Sequence, residues 1–407
     1  MASQKNQMKG IFSQIIFPAS LLATTIIGAG MFALPFLFNR AGLGIGLFYL
    51  LFFGVILVLI HLMYADIIVR TPENHRFPGY AKIYLGKFGY WSSIFMAIFG
   101  ALLALTIYLV LSPSFIKLIL PATSDIYVIF AFWLLGSLAI FFKINELAVS
   151  EFLIFIGMAA MIFMIFGFGL AGGADKIKAT PLFDFGNIFL PFGAVLFSMY
   201  GRSAIPTLLG YFRNNGQSPV KSKWPIIIGT IAPALIYAIF VFGILGLSGE
   251  ISEDAVSGLI GNLPKMVLWI LGILGITSLW STYIVIGRDI KKSLEHDFNL
   301  PVIFSGGVVS VVPVLLYVAG FQSFLKLISF SGAIIIGLEG IFIVLMWLRA
   351  RNNVELIPVA EQGSLRGAAQ NNAEARKPEK ILDKIHPIII VFLLLVFAAG
   401  IGYKLIY

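Results

Sequence analysis

Long apolar runs, each about the length of a membrane-crossing helix, recur along the chain between short polar or Gly/Pro-containing breaks. A helix needs about 20 mostly apolar residues to cross the hydrocarbon core of a bilayer. Eleven runs meet or approach that length, at 14–38, 43–69, 88–111, 126–143, 151–171, 187–212, 224–247, 264–287, 301–318, 323–348 and 386–406. Those at 126–143 and 301–318 are short. The runs are too continuous for barrel strands, which alternate in and out over about 10 residues. The pattern predicts an all-α integral membrane protein of eleven transmembrane helices. The apolar stretch from Ile15 to Phe38 exceeds the roughly 7–15-residue core of a signal peptide, so the first run reads as a retained span. Residues 349–385 are the one long polar stretch. From Glu361 to Lys380 they hold too few large apolar residues to build a buried face, which predicts a mobile cytoplasmic linker to the last span. The acidic loop 248–263, with Glu250, Glu253 and Asp254, predicts a solvated cap or a short surface helix.

Composition sharpens this picture. The 407 residues are 59% hydrophobic and 12% charged, against roughly 25% charged in soluble domains. Mean hydropathy is +0.98. So little charge cannot clothe a water-soluble surface of this size, which excludes a soluble enzyme. The absence of Cys excludes a disulfide framework, thiol catalysis and Cys-ligated zinc, and four His make a His-rich metal site a poor fit. The net charge of +9 is a topology signal rather than a nucleic-acid footprint. With the N-terminus in the cytoplasm, twenty of the 28 Lys and Arg fall in inside loops and seven in outside loops, while Arg202 lies within a span. This bias predicts a cytoplasmic N-terminus and an outside C-terminus, in the plasma membrane, a bacterial inner membrane fitting the compact tails.

The first and sixth runs share a pattern. Thr24 to Phe38 reads TTIIGAGMFALPFLF, and Phe197 to Phe212 reads FSMYGRSAIPTLLGYF. Gly30 matches Gly201, Ala33 matches Ala204, Leu34 matches Ile205 and Pro35 matches Pro206. An offset of five spans brings the second copy in from the opposite side of the membrane. This is the signature of an inverted-topology repeat, 14–171 against 187–348, with the 386–406 helix appended, all within one transporter domain. Gly28, Gly30 and Gly201 weaken a helix by about 1 kcal/mol each relative to Ala. Pro35 and Pro206 each remove a backbone donor and disfavour helix just before them. Unwound backbone in mid-membrane is tolerated where it lines a polar cavity or holds a ligand. Half-helix N-termini suit a carboxylate, and freed carbonyls suit an ammonium or sodium ion. An α-amino acid presents both groups. A pair of Pro-kinked packing helices is the plain structural alternative.

The runs GAGMFALPF and FSMYGRSAIPTLLGYF resemble the bacterial aromatic and hydroxy amino acid permeases and the wider amino acid/auxin permease group, within the amino acid-polyamine-organocation superfamily. The eleven-span plan extends that resemblance over essentially the whole chain. It departs at Tyr200-Gly201-Arg202, where such permeases often have an uncharged or His-containing segment. The resemblance implies a five-plus-five inverted-repeat fold with broken helices 1 and 6. It implies that the substrate carboxylate sits on N–H groups of Ala29 and Gly30 beside Gly28, and that the ammonium meets carbonyls near Ile26 and Phe197 to Met199, with the Ser198 hydroxyl. Tyr200, next to Gly201, would wall the side-chain pocket. It further implies a sodium site in which hydroxyls on the eighth span face carbonyls of Thr24 and Ile27. Ser278, Ser281 and Thr282 stand at i, i+3 and i+4 and share a face, with Thr277/Ser278 as the competing register. Self-bonding to the helix backbone is the structural alternative for all these hydroxyls.

Ionisable residues within spans are expensive and usually functional. Arg202 follows the second Gly directly; it could replace a coupling cation, bind an anionic group, gate the path by pairing with Glu339, or pair structurally. Glu339 could instead be a protonatable coupling residue. Asp66 reads as interfacial, His61 as a packed polar residue, and Tyr108 as a residue reaching the central cavity or an interfacial aromatic. The expected function is a secondary active amino acid permease working by alternating access and coupled to sodium or protons. An exchanger, a uniporter, a channel and a membrane-embedded enzyme are the alternatives. No phosphate-binding GxxxxGK[ST] loop occurs. The expected partners are the amino acid and the lipid bilayer, without nucleic acid, with no cofactor beyond the coupling sodium ion or proton.

Overall fold

The computed structural model describes residues 11–72, 74–141, 147–247, 250–352, 380–382 and 385–406, and contains helices but no strand among them. The first apolar run is in two pieces. α1 (Phe17–Ile26) follows a π turn at Phe12–Ile16, and α2 (Leu34–Ala41) follows a 3₁₀ turn at Ala29–Ala33. The two halves bend by 55°. Then come α3 (Leu43–Arg70), α4 (Phe77–Ile119), α5 (Asp125–Phe141) and α6 (Leu147–Ala179). The sixth run is split again, into α7 (Phe192–Ser198) and α8 (Ile205–Asn214), with a 3₁₀ turn at Arg202–Ala204. α9 (Lys223–Leu247), α10 (Lys265–Asp297) and α11 (Val302–Val318) precede α12 (Phe324–Phe330), which a π turn at Ser331–Ile336 joins to α13 (Gly337–Asn352). α14 (Pro387–Ile406) ends the described chain.

Six of these units are long and apolar enough to cross a membrane: α3, α4, α9, α10, the joined α12–α13 and α14. The bent α1–α2 pair makes a seventh. α5 and α11, at 17 residues each, fall a little short of the full crossing length. Phe88, Trp91, Phe95 and Ile303 stand exposed on outward faces, an arrangement that hydrocarbon tolerates and water does not. Inside, small residues bring backbones into contact. Gly169 meets Gly243 and Gly173 meets Gly246 between α6 and α9, while Gly193 of α7 meets Gly332 of the π turn.

Three expectations change. The third run begins earlier, because α4 starts at Phe77 and is interrupted at Gly86, whose φ of +74° suits a residue without a Cβ. Residues 187–191 are not part of a long helix: a 3₁₀ turn ends at Asn187, and α7 begins after Pro191. The loop 250–263 carries a 3₁₀ turn at Ser257–Leu259 in place of a surface α-helix. Asp254 organises it, accepting from the Ser252 hydroxyl, the Val256 and Ser257 amides and the Ser114 hydroxyl of α4. Residues 1–10 and the 353–379 part of the polar linker lie outside the described residues.

Candidate functional site at two helix breaks

Both broken helices restart in the same way. A 3₁₀ turn leads into an α-helix whose second residue is Pro35 in one case and Pro206 in the other. The junction residues Ala33 (φ −78°, ψ −26°) and Ala204 (φ −80°, ψ −19°) have nearly the same backbone conformation. Proline near a helix start loses nothing, because its missing N–H would have had no partner there. Ahead of each turn the chain is unwound. Ile27 and Gly28 are extended in the first break, and Gly201 (φ −131°, ψ 24°) leaves the helix in the second.

The breaks meet at Gly30 and Ser198. A Cβ on Gly30 would stand 2.5 Å from the Ser198 hydroxyl oxygen and 2.8 Å from its Cα, so glycine is what lets the two backbones touch. Ala29 and Gly30 are buried, whereas Gly28 is half-buried, and a Cβ there would meet only ordinary contacts, 3.8 Å from the Tyr108 hydroxyl and 3.9 Å from the Ile26 carbonyl. The Tyr108 hydroxyl of α4 lies beside Gly28 and faces the Thr282 side chain of α10. On the following side three buried rings close over the first break: Phe32 packs edge-on against Phe115 and Phe240, at 5.1 and 5.7 Å between centroids.

The freed backbone groups have side-chain partners that sequence reasoning did not assign. The Tyr237 hydroxyl of α9 lies 2.7 Å from the Ile26 carbonyl and 2.9 Å from the Ser198 carbonyl, and the Gly28 amide faces the same hydroxyl. The Gly201 N–H donates to His61 Nε2 at 3.2 Å. An accepting Nε2 puts the ring proton on Nδ1, which donates to Thr230 Oγ1 at 2.9 Å, and that hydroxyl donates to the Ile226 carbonyl at 2.8 Å. His61 is thus a packed polar residue with a defined task, capping the second break. A lone His and a lone Tyr on apolar helices give no pattern from which these tasks could be read.

Other expectations need correction. Ser198 is buried and its hydroxyl donates to its own helix, at the Ala194 carbonyl, which leaves its oxygen as an acceptor only. The Ile26 and Ser198 carbonyls expected to face that ammonium are shared with Tyr237, because unwound carbonyls away from water must find donors. Phe197 O and Met199 N are used within the local turn. The Thr24 hydroxyl bonds back to Ser20 O, whereas the expectation for Thr24 concerns its carbonyl. Thr277 turns to an apolar cavity of about 460 Å³ between α4, α5 and α10, lined by Ile116, Tyr127, Phe132 and Trp280, which lies away from the breaks. Its hydroxyl bonds to Ile273 O. Thr282 donates to Ser278 O; Ser278 and Ser281 are half-buried.

The structure brings Arg202 and Glu339 together. Arg202 Nε and Nη2 donate to Glu339 Oε2 and Oε1 at 2.8 and 3.2 Å, a two-pronged ion pair with both side chains largely buried. The Tyr200 hydroxyl donates to the same Oε2 at 2.6 Å and accepts from Arg202 Nε at 3.1 Å. The guanidinium also lies 4.2 Å from the centre of the Phe77 ring. Arg202 is therefore neither snorkelling nor unpaired, and Glu339 has no free oxygen.

Asp66 is not interfacial. It is fully buried and accepts from Arg70 Nε, Trp347 Nε1 and the Ile381 and Leu382 amides, at 2.7, 2.8, 2.7 and 3.3 Å. Four donors make burial of the carboxylate tolerable, and they anchor the end of the polar linker to α3 and α13. Among the described residues no group of three or more His, Cys, Asp or Glu could hold a metal ion.

No curated protein matches the chain by sequence. Among solved structures the fold is similar to that of MhsT in complex with L-phenylalanine, with a TM-score of 0.63 and 13% identity, over 97% of this chain and 98% of that one. The sequence profile of the tryptophan/tyrosine permease family matches residues 12–359. The chain belongs to the tryptophan/tyrosine permease family and is an integral membrane amino acid transporter, not an enzyme.

Proposed function

We propose that the protein is a secondary active permease for aromatic amino acids, with the substrate bound where the two breaks meet. The contact between Gly30 and Ser198 carries this reading, since it joins two unwound segments that repeat one sequence pattern. The MhsT complex with L-phenylalanine supports an aromatic amino acid as substrate. In this reading the Ala29 and Gly30 amides receive the carboxylate, and the remaining lone pairs of the Ile26 and Ser198 carbonyls receive the ammonium. Tyr108 and Tyr200 flank the side chain. The Phe32, Phe115 and Phe240 rings seal the outer side.

The chain crosses the membrane eleven times as an inverted repeat, 14–171 against 187–348, followed by a linker and a last helix. Its N-terminus is cytoplasmic and its C-terminus outside. α1–α3 and α7–α9 rock against α4, α5, α10 and α11 to expose the site alternately to the two sides. Ser278, Ser281 and Thr282, with carbonyls of Thr24 and Ile27, supply oxygen ligands for a coupling sodium ion. Proton coupling at Glu339 is the second reading, supported by its burial; it requires the Arg202 pair to open. The test is uptake of L-tryptophan, L-tyrosine and L-phenylalanine into proteoliposomes with sodium and pH gradients imposed separately. Accumulation driven by a sodium gradient is expected. Accumulation under a pH gradient alone moves the coupling site to Glu339, and failure to move any of the three under either gradient or by exchange overturns the reading.

A further inference from the structure

We infer that Tyr237 is a positioning residue that joins the two broken helices at one point and so sets the geometry of the substrate site. The inference rests on the site reading above. Its ground is a geometry that neither broken helix contains by itself. Ile26 O is the last carbonyl of α1 before the extended Ile27–Gly28, and Ser198 O is at the last residue of α7 before the second break. Each loses its helical donor because the chain ahead of it unwinds. One hydroxyl serves both, at 2.7 and 2.9 Å, sharing its single hydrogen between the two carbonyls.

The hydroxyl is held there firmly. Tyr237 is fully buried. It sits one turn before Phe240, which packs on Phe32 of the first broken helix, and α9 is pressed against α6 through the Gly169–Gly243 and Gly173–Gly246 contacts. The hydroxyl thus comes from a rigid element, while the groups it holds belong to two segments without helical support. A carbonyl oxygen has two lone pairs, and Tyr237 takes one direction on each. It therefore decides which directions remain for the ammonium and keeps the two carbonyls aimed at a common spot before substrate arrives. Without it, substrate binding must itself align the breaks.

The test uses the full chain in lipid nanodiscs and proteoliposomes with Tyr237→Phe, which keeps the ring and its packing and removes one oxygen. Tyr49→Phe is the comparator: it removes a buried hydroxyl on α3, where the ring stacks on Phe53. Two readouts are taken: amide exchange of peptides covering 22–31 and 196–204 without substrate, and uptake kinetics for L-tryptophan and L-tyrosine. Tyr237→Phe is expected to speed exchange in both peptides and to raise KM about ten-fold, the size of one net hydrogen bond, with a smaller change in maximal rate. Tyr49→Phe should do neither. Faster exchange in one peptide alone, or a lower maximal rate at unchanged KM, would overturn the inference, since a residue that only supports the fold reduces the amount of working protein. If the wild type takes up neither amino acid, the site reading fails, and the exchange of the two peptides still decides whether Tyr237 joins the breaks.

Discussion

The two breaks share a sequence pattern and the same restart, yet they are built from different chemistry. The first is uncharged: its unwound Ile27 and Gly28 are flanked by the Tyr237 and Tyr108 hydroxyls and roofed by phenylalanine rings. The second has Arg202 and Tyr200 of its own and gathers Glu339 and the His61 cap from distant helices. Backbone geometry at the restart follows local sequence, because Ala, a branched residue and Pro in succession favour one turn. What fills the gap before the restart follows from the neighbours, and these differ between the two copies. Two breaks with one sequence pattern can therefore differ in charge, the first polar but uncharged and the second built around an ion pair.

The sharpest way to break this contrast is at the ion pair. Arg202→Ala leaves Glu339 buried beside Tyr200 without its counter-charge and should destabilise the protein by about 3–5 kcal/mol. Arg202→Ala combined with Glu339→Ala should recover much of that loss, as read by thermal unfolding in detergent. If the single and double variants are equally stable, the second break does not depend on its charges.

The close approach comes next. Gly30→Leu should abolish uptake with the protein still inserted, because even its Cβ collides with the Ser198 backbone. Gly28→Ala meets only ordinary contacts, at 3.8 and 3.9 Å, in an extended conformation open to any residue. Its melting temperature should match or slightly exceed wild type, in line with about 0.4–1 kcal/mol of stabilisation. Equal uptake by Gly30→Leu and wild type would place the substrate elsewhere.

His61→Leu removes the cap of the second break and should cost roughly 1–3 kcal/mol through the orphaned Gly201 amide. Amide exchange should rise around 199–204 and stay unchanged around 26–30. A rise in both would mean that the breaks are coupled through His61 as well. The smallest effect is expected from Ser281→Ala with Thr282→Ala, which should weaken the sodium dependence of uptake without changing the melting temperature noticeably. An unaltered sodium response excludes those hydroxyls as ion ligands.

The helical segments and both breaks were legible because their causes are local. Apolar run length, Gly28 and Gly201 ahead of Pro35 and Pro206, and the matched Ala residues all act within a turn or two of chain. The proximity of Arg202 and Glu339 was legible as a suspicion, since two charges in apolar runs each need a partner. The roles of His61 and Tyr237 were not. Their partners, Gly201 and the Ile26 and Ser198 carbonyls, lie 140, 211 and 39 residues away. Asp66 misled for the same reason: it sits near the end of an apolar run, yet amides some 315 residues on bury it.

The sequence by itself determined that this chain is a membrane protein with two interrupted helices, because hydrophobicity, Gly and Pro act on the chain wherever it lies, and its motifs resembled those of amino acid permeases. Only the tertiary structure decided how the interruptions are satisfied. A backbone group released from its helix takes whichever donor or acceptor packing brings within reach. Here packing supplied a tyrosine from α9 to the first break and a histidine from α3 to the second.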